Sequence, residues 1–270
     1  MATGAAILLA IVLAVFHFQK GESPVEQLAM RARRLELVNQ IRLSLESAVE
    51  AEKSAVMAVT DEDSQKFADE ARSETAKAEQ ARRELEKLSR PGELDSFSKA
   101  FTEFQRVDAE VLDLAVKNTN LKAYALAYGP ATAAVKELDA ALAKSSPAAT
   151  EARVGAWRLL ASLPPHIAEE SDAKMDAMEA EMTKEDQQVR RSLAELADPV
   201  ATASYETFSE LRARIIKLSR ENTNVRSLTL SLTQKRNVTA ACQDALAALQ
   251  QAIQNEPIPA AARGKIISPR

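Results

Sequence analysis

The sequence predicts an all-α protein: an N-terminal transmembrane helix followed by an antiparallel up-down-up-down four-helix bundle, built from two repeated helical hairpins. Three observations predict it. Gly is scarce, at 6 of 270 residues, and aromatic residues make up only 4%. Ala, Leu, Glu, Lys, Arg and Gln dominate, and these lose little side-chain freedom in a helix. Finally, apolar residues recur at steps of three and four, never at a sustained step of two.

The first element is the run Ala5–Phe18, AAILLAIVLAVFHF, which carries no charge and ends at Gln19-Lys20. About 20 apolar residues cross a bilayer, so residues 1–20 read as a membrane anchor. The rival is a cleaved signal peptide. It would ordinarily carry a basic leading region, absent here, and Val12-Leu13-Ala14 is a marginal cleavage site. Lys20, Arg31, Arg33 and Arg34 follow the span, which by the positive-inside rule points the body to the cytoplasm. Acidic Glu22, Glu26 and Glu36 dilute that signal.

Residues 21–39 read as a juxtamembrane helical stalk and 40–254 as the bundle. Turn signals at Ser89-Arg90-Pro91-Gly92, Ser145-Ser146-Pro147 and Asp198-Pro199 divide the body. The helical stretches are then about 24–89, 94–144, 148–197 and 200–254, and connections this short force antiparallel neighbours. Fifty residues make a rod of roughly 75 Å. Pro164-Pro165 predicts a kink or restart near 163, with Ser162 as the new cap. The tail 255–270 has several Pro and no apolar period, and reads as flexible.

The second stretch carries a heptad seam: Phe104, Val107, Val111, Leu114, Asn118, Leu121, Ala125, Tyr128, Thr132, Val135 and Leu142. The fourth repeats it 104 positions later, with identities at Phe104/Phe208, Leu114/Leu218, Leu126/Leu230 and Leu142/Leu246. The longest identity is Asn118-Thr119-Asn120 against Asn222-Thr223-Asn224. Arg82-Arg83-Glu84-Leu85 matches Arg190-Arg191-Ser192-Leu193 more weakly, at offset 108. A helical hairpin has therefore been duplicated, with repeats 40–145 and 148–254.

Residues Glu50-Ala51-Glu52-Lys53, Val56–Asp61, Phe67, the turn near Pro91 and Val111–Asn118 together resemble the four-helix-bundle ligand-binding domain of bacterial methyl-accepting chemotaxis receptors and some sensor kinases. The resemblance covers about residues 25–254. It implies an extracytoplasmic, periplasmic sensory module, often dimeric, that passes ligand occupancy along its helices. The sequence departs from the family after the fourth helix, where only a short tail follows. Any signal output is then expected to need a partner membrane or signalling protein.

Function classes narrow accordingly. A net charge of −4 lacks the basic excess that neutralises phosphates, so no nucleic acid is expected. The single Cys242 cannot close an internal disulfide, and His17 and His166 are too far apart to share a metal. No phosphate-binding loop or nucleophile elbow is present. The sequence is read as non-catalytic, with no metal and no cofactor.

Asn118, Thr119, Asn120, Asn222, Thr223 and Asn224 are the candidate ligand-binding residues, together with Glu52. The two Asn fall at seam positions of diagonal helices and are expected to share a layer. That layer either fixes register, in which case Leu at both positions would raise stability, or it holds a small polar ligand. Glu52, between Val49 and Val56, needs a partner if buried, and Lys122 and Arg226 are the candidates. Two functions stay open: a sensory bundle that binds a small ligand or partner protein, possibly as a homodimer, and a structural coiled-coil subunit of a membrane complex.

Overall fold

The computed structural model describes residues 24–143 and 146–257; the expected anchor at 1–20 lies outside the described residues. Among them every regular element is helical, and no helix is long and apolar enough to cross a membrane. The helices are α1 (Pro24–Met57), α2 (Asp61–Lys87), α3 (Asp95–Ala115), α4 (Thr119–Leu126), α5 (Thr132–Ala141), α6 (Pro147–Ala168), α7 (Asp172–Leu196), α8 (Pro199–Glu221), α9 (Thr223–Leu230) and α10 (Arg236–Gln254). A π-helical turn joins α4 to α5 at Ala127–Ala131, and another joins α9 to α10 at Ser231–Lys235.

The body is not a single bundle of four rods. The stretch 24–89 folds back on itself, so α1 and α2 form a hairpin around Ala58-Val59-Thr60. Thr60 caps α2: its hydroxyl accepts from the Asp63 amide at 3.1 Å and donates to the Asp63 carboxylate at 2.8 Å. Asp61, Glu62 and Asp63 place negative charge at the positive end of α2. The stretch 148–197 folds in the same way. Helix α6 runs through Pro164-Pro165 and ends at Ala168, and Ser171 caps α7 by accepting from the Lys174 amide. The restart expected at Ser162 is absent; the prolines sit in the last turn of α6, where the interrupted ladder is nearly finished.

Each repeat is therefore a hairpin followed by a rod. Rod 1 runs α3, α4, α5 and rod 2 runs α8, α9, α10. Three clusters of buried apolar side chains show how they pack. Leu37, Ile41, Leu45, Leu85, Phe97, Phe101, Phe104, Leu246 and Ile253 bring α1, α2, α3 and α10 into one core. Ala51, Ala55, Ala68, Val107 and Val111 extend that core along the same helices. Ala123, Leu138, Leu159, Leu163, Val189, Phe208 and Ile215 build a second core from α4, α5, α6, α7 and α8. Two four-helix layers thus stand end to end. Each combines its own hairpin and the first half of its own rod with the second half of the other repeat's rod.

Arg34, Leu37 and Val38, in the stretch read as a stalk, are buried in the first core. Arg34 donates to Glu256 at 2.8 Å and also pairs with Glu93, which brings the start of α1 beside the residues after α10. Close packing of the second hairpin depends on Gly155. A Cβ there would stand 2.5 Å from Val189 Cγ2.

The seam is legible on either side of the middle but not through it. Phe104, Val107 and Val111 are buried, and so are Val135 and Leu142. Between them Ala123, Ala127 and Ala131 face the core while Tyr128 is exposed. The break at Asn118 and the π-helical turn, which adds a residue to the turn, shift the phase and then restore it.

Candidate functional site

The two cores meet at a waist made by the repeated Asn-Thr-Asn triplets. Asn118 and Asn222 both adopt the left-handed conformation, each with φ of 51°. Asn tolerates this region better than other residues with a Cβ. There each rod ends one helix and starts another, leaving the first amides of the new helix without partners in their own rod.

The other rod supplies them. The Thr119 amide donates to Thr223 Oγ1 at 3.2 Å, and the Thr223 amide donates to Thr119 Oγ1 at 3.1 Å. The Asn120 amide donates to Asn224 Oδ1 and the Asn224 amide to Asn120 Oδ1, both at 3.1 Å. All four bonds join positions 104 apart, so a pseudo-twofold axis passes between the two threonines. The side-chain amides close the ring: Asn120 Nδ2 donates to Asn222 Oδ1 at 2.7 Å, and Asn224 Nδ2 to Asn118 Oδ1 at 2.9 Å.

The hairpin tips are tied to the same knot. Asn222 Nδ2 donates to the Glu169 carbonyl at 2.8 Å, and Asn118 Nδ2 donates to Asp61 Oδ1 at 3.0 Å. Bonds from Lys122 and Asn118 hold the Asp61 carboxyl below the usual carboxylate range. In the second hairpin His166 is fully buried, with Nδ1 2.8 Å from Ser219 Oγ and Nε2 2.9 Å from Glu179. Burial of Glu179 works against its ionisation, but bonds from Arg220 and His166 prevail and lower its pKa.

The six triplet residues are therefore together, as the repeat predicts, but not as an apolar-type register layer. They form reciprocal helix caps, and their polar groups are spent largely on one another. Asn222 alone of the six borders an open cleft of about 380 Å³, with Glu110, Glu170, Arg226, Thr229 and Thr233 around it.

Glu52 does not join them. It is fully buried within the first bundle, and neither expected cation reaches it: Lys122 pairs with Asp61, and Arg226 is exposed. Its charged neighbour is Lys235, which is bonded to the buried Asp108 and lies 3.4 Å above the Phe104 ring centroid. Reasoning from sequence missed Asp108 and Lys235. The signal was available, because Lys235 stands where the 104-residue repeat has Ala131. Among the described residues no three His, Cys, Asp or Glu side chains are arranged to hold a metal ion.

No family model matches the chain, and no curated protein matches it. Among solved structures it is similar to the sensor domain of the histidine kinase sensor TorS of V. parahaemolyticus, with a TM-score of 0.61 at 10% identity. The match covers 82% of this chain and 97% of that one, so the likeness spans both helical layers and is one of fold.

Proposed function

We propose that this protein is a membrane-anchored, non-catalytic sensory module that recognises a small polar ligand or a partner protein at its waist. Residues 1–20 serve as the anchor and the body lies outside the cytoplasm, as in the chemoreceptor domains that the sequence resembles. Signal output passes to a partner membrane protein. The observation that carries the reading is the reciprocal Asn-Thr-Asn knot. It fastens both rods and both hairpin tips at one level, so a shift of either rod there is felt in both bundles. The fold likeness to a histidine-kinase sensor domain supports the same reading.

The cleft beside the knot is the place for recognition. Arg226 offers an exposed guanidinium there, next to Asn222 and the hydroxyls of Thr229 and Thr233. A thermal-shift screen of the full chain against amino acids, organic acids and aromatic acids tests this. A ligand at one hundred times its Kd adds about 2.7 kcal/mol of stability, and Arg226→Ala should remove most of the shift. A ligand whose shift survives both Arg226→Ala and Thr233→Ala does not bind at the waist.

One observation favours the second reading, a structural subunit without a ligand: the knot completes its own hydrogen bonds. On that reading no compound in the screen raises the melting temperature, and the chain is recovered only in a stable membrane complex.

A further inference from the structure

The duplication supplies an internal control for the first bundle's core. Offset by 104, the inward stripe of rod 1 is Ala123, Ala127, Ala131 and Val135, while that of rod 2 is Ser227, Ser231, Lys235 and Thr239. Aligned on the caps Thr60 and Ser171, Glu52 corresponds to Leu163. Both are fully buried, as are Ala131 and Lys235, or nearly so. The architecture thus closes this layer with Leu and Ala in one bundle and with Glu and Lys in the other. Folding alone does not require the charges.

We propose that Glu52 is a proton-binding site, protonated while the bundle is closed, and that release of its proton to solvent opens the π-helical turn Ser231–Lys235. Three features carry this. Glu52 is 0% exposed, and apart from a weak contact with Ser231 its carboxylate oxygens have no partner at hydrogen-bonding distance and angle. An ionised carboxylate in that position is costly, whereas the neutral acid is far less so. Lys235 cannot neutralise Glu52 without abandoning Asp108, which it already pairs with. And Lys235 is the last residue of an irregular turn, a segment that can rearrange without breaking a long helix.

Every charged group facing the site acts on this balance. Burial raises the pKa of Glu52 and the Asp108 charge raises it further, while Ser231, Lys235 and Lys53 oppose the shift without cancelling it. Burial likewise raises Asp108, against Lys235, Thr75 and Arg72. Lys235 is lowered by burial, against Asp108, Glu52 and Cys242. With Glu52 neutral, Asp108 and Lys235 balance; with Glu52 ionised, two carboxylates share one ammonium in an apolar layer. Opening the turn brings water to the extra charge.

The test uses the full chain, with carboxyl-labelled glutamate for NMR and hydrogen exchange of the backbone. One glutamate should titrate well above the others and vanish in Glu52→Gln. Above that titration, protection of the Ser231–Lys235 amides should fall about tenfold per pH unit, the dependence of a single released proton. The sister turn Ala127–Ala131 should not respond, and in Glu52→Gln or Glu52→Leu the response should disappear. Glu52→Leu copies the repeat's own solution and keeps the test open if Gln disturbs packing. A Glu52 that titrates with the surface glutamates, or a turn whose protection ignores pH or follows it equally in both variants, overturns the proposal.

Discussion

Replacing Asn222 tests the physical role assigned to the knot. The heptad reading expects Leu at this position to add stability, and the structure reverses that expectation. Asn222 has φ of 51°, where a residue with a Cβ costs roughly 1–2 kcal/mol relative to Gly. Its side chain also accepts from Asn120 Nδ2 at 2.7 Å and donates to the Glu169 carbonyl at 2.8 Å. Leaving one such group unsatisfied costs about 1–3 kcal/mol. Asn222→Gly should therefore lose about 2–4 kcal/mol, and Asn222→Ala or Asn222→Leu about 1 kcal/mol more, because only Gly is free of the backbone strain. In a chain of this size 1 kcal/mol moves Tm by about 2–4 °C. Thermal melts followed by circular dichroism would resolve the order wild type, Gly, Ala. The same series at Asn118 should run in parallel, and the double substitution should cost less than the sum, since both side chains serve one ring. An Asn222→Leu variant that melts above wild type, or Ala and Gly variants that melt together, would refute the reciprocal-cap argument.

Other substitutions follow from single features. Ala197 ends α7 with φ of 50°, so Ala197→Gly should raise stability by about 1 kcal/mol in denaturant titration. Gly155→Ala should destabilise by about 1–3 kcal/mol despite the better helix propensity of Ala, because the new methyl meets Val189 Cγ2; an increase in stability would mean the hairpin is less tightly packed. Burial works against ionisation of Asp186, but Tyr205, Arg212 and Arg190 together hold its carboxyl below the usual range. That stabilisation is present at neutral pH and is lost as pH falls through the lowered pKa. Asp186→Asn should accordingly flatten part of the acid limb of a stability-against-pH curve while costing about 1–3 kcal/mol at pH 7.

Much of this fold is legible in the sequence, and the part that is not has a physical cause. Helical content, the 104-residue repeat and the juxtaposition of the two Asn-Thr-Asn triplets follow from composition and periodicity, although Asn118 bonds Asn224 and Asn222 bonds Asn120 rather than each other. The hairpin turns do not, because neither carries Gly or Pro. They are marked by caps instead: Thr60 before Asp61-Glu62-Asp63, and Ser171 before Asp172. Pro164-Pro165 point to a break near 163, but the helix continues through both prolines to Ala168 and the chain turns only at Glu169–Ser171. The triplets read as seam residues because Asn can occupy a heptad core position; only the backbone shows that they leave the helix there. Glu52 was recognised as needing a partner, but Lys235 lies 183 positions away in sequence, and only the repeat alignment points to it.

Cross-linking across the two hairpins tests most directly whether two stacked bundles, joined at the waist by two rods, describe this chain. Arg33 reaches Glu84 at 3.1 Å across α1 and α2, and Gln188 reaches Glu151 at 3.0 Å across α7 and α6. In a Cys242→Ser background, cysteines at 33 and 84, or at 151 and 188, should each join within one chain through a short bismaleimide. A continuous helix over 24–89 would hold residues 33 and 84 about 75 Å apart. Efficient intramolecular bridging of both pairs is the predicted result; failure of the 33–84 pair, with helical content intact, would contradict the two-bundle fold.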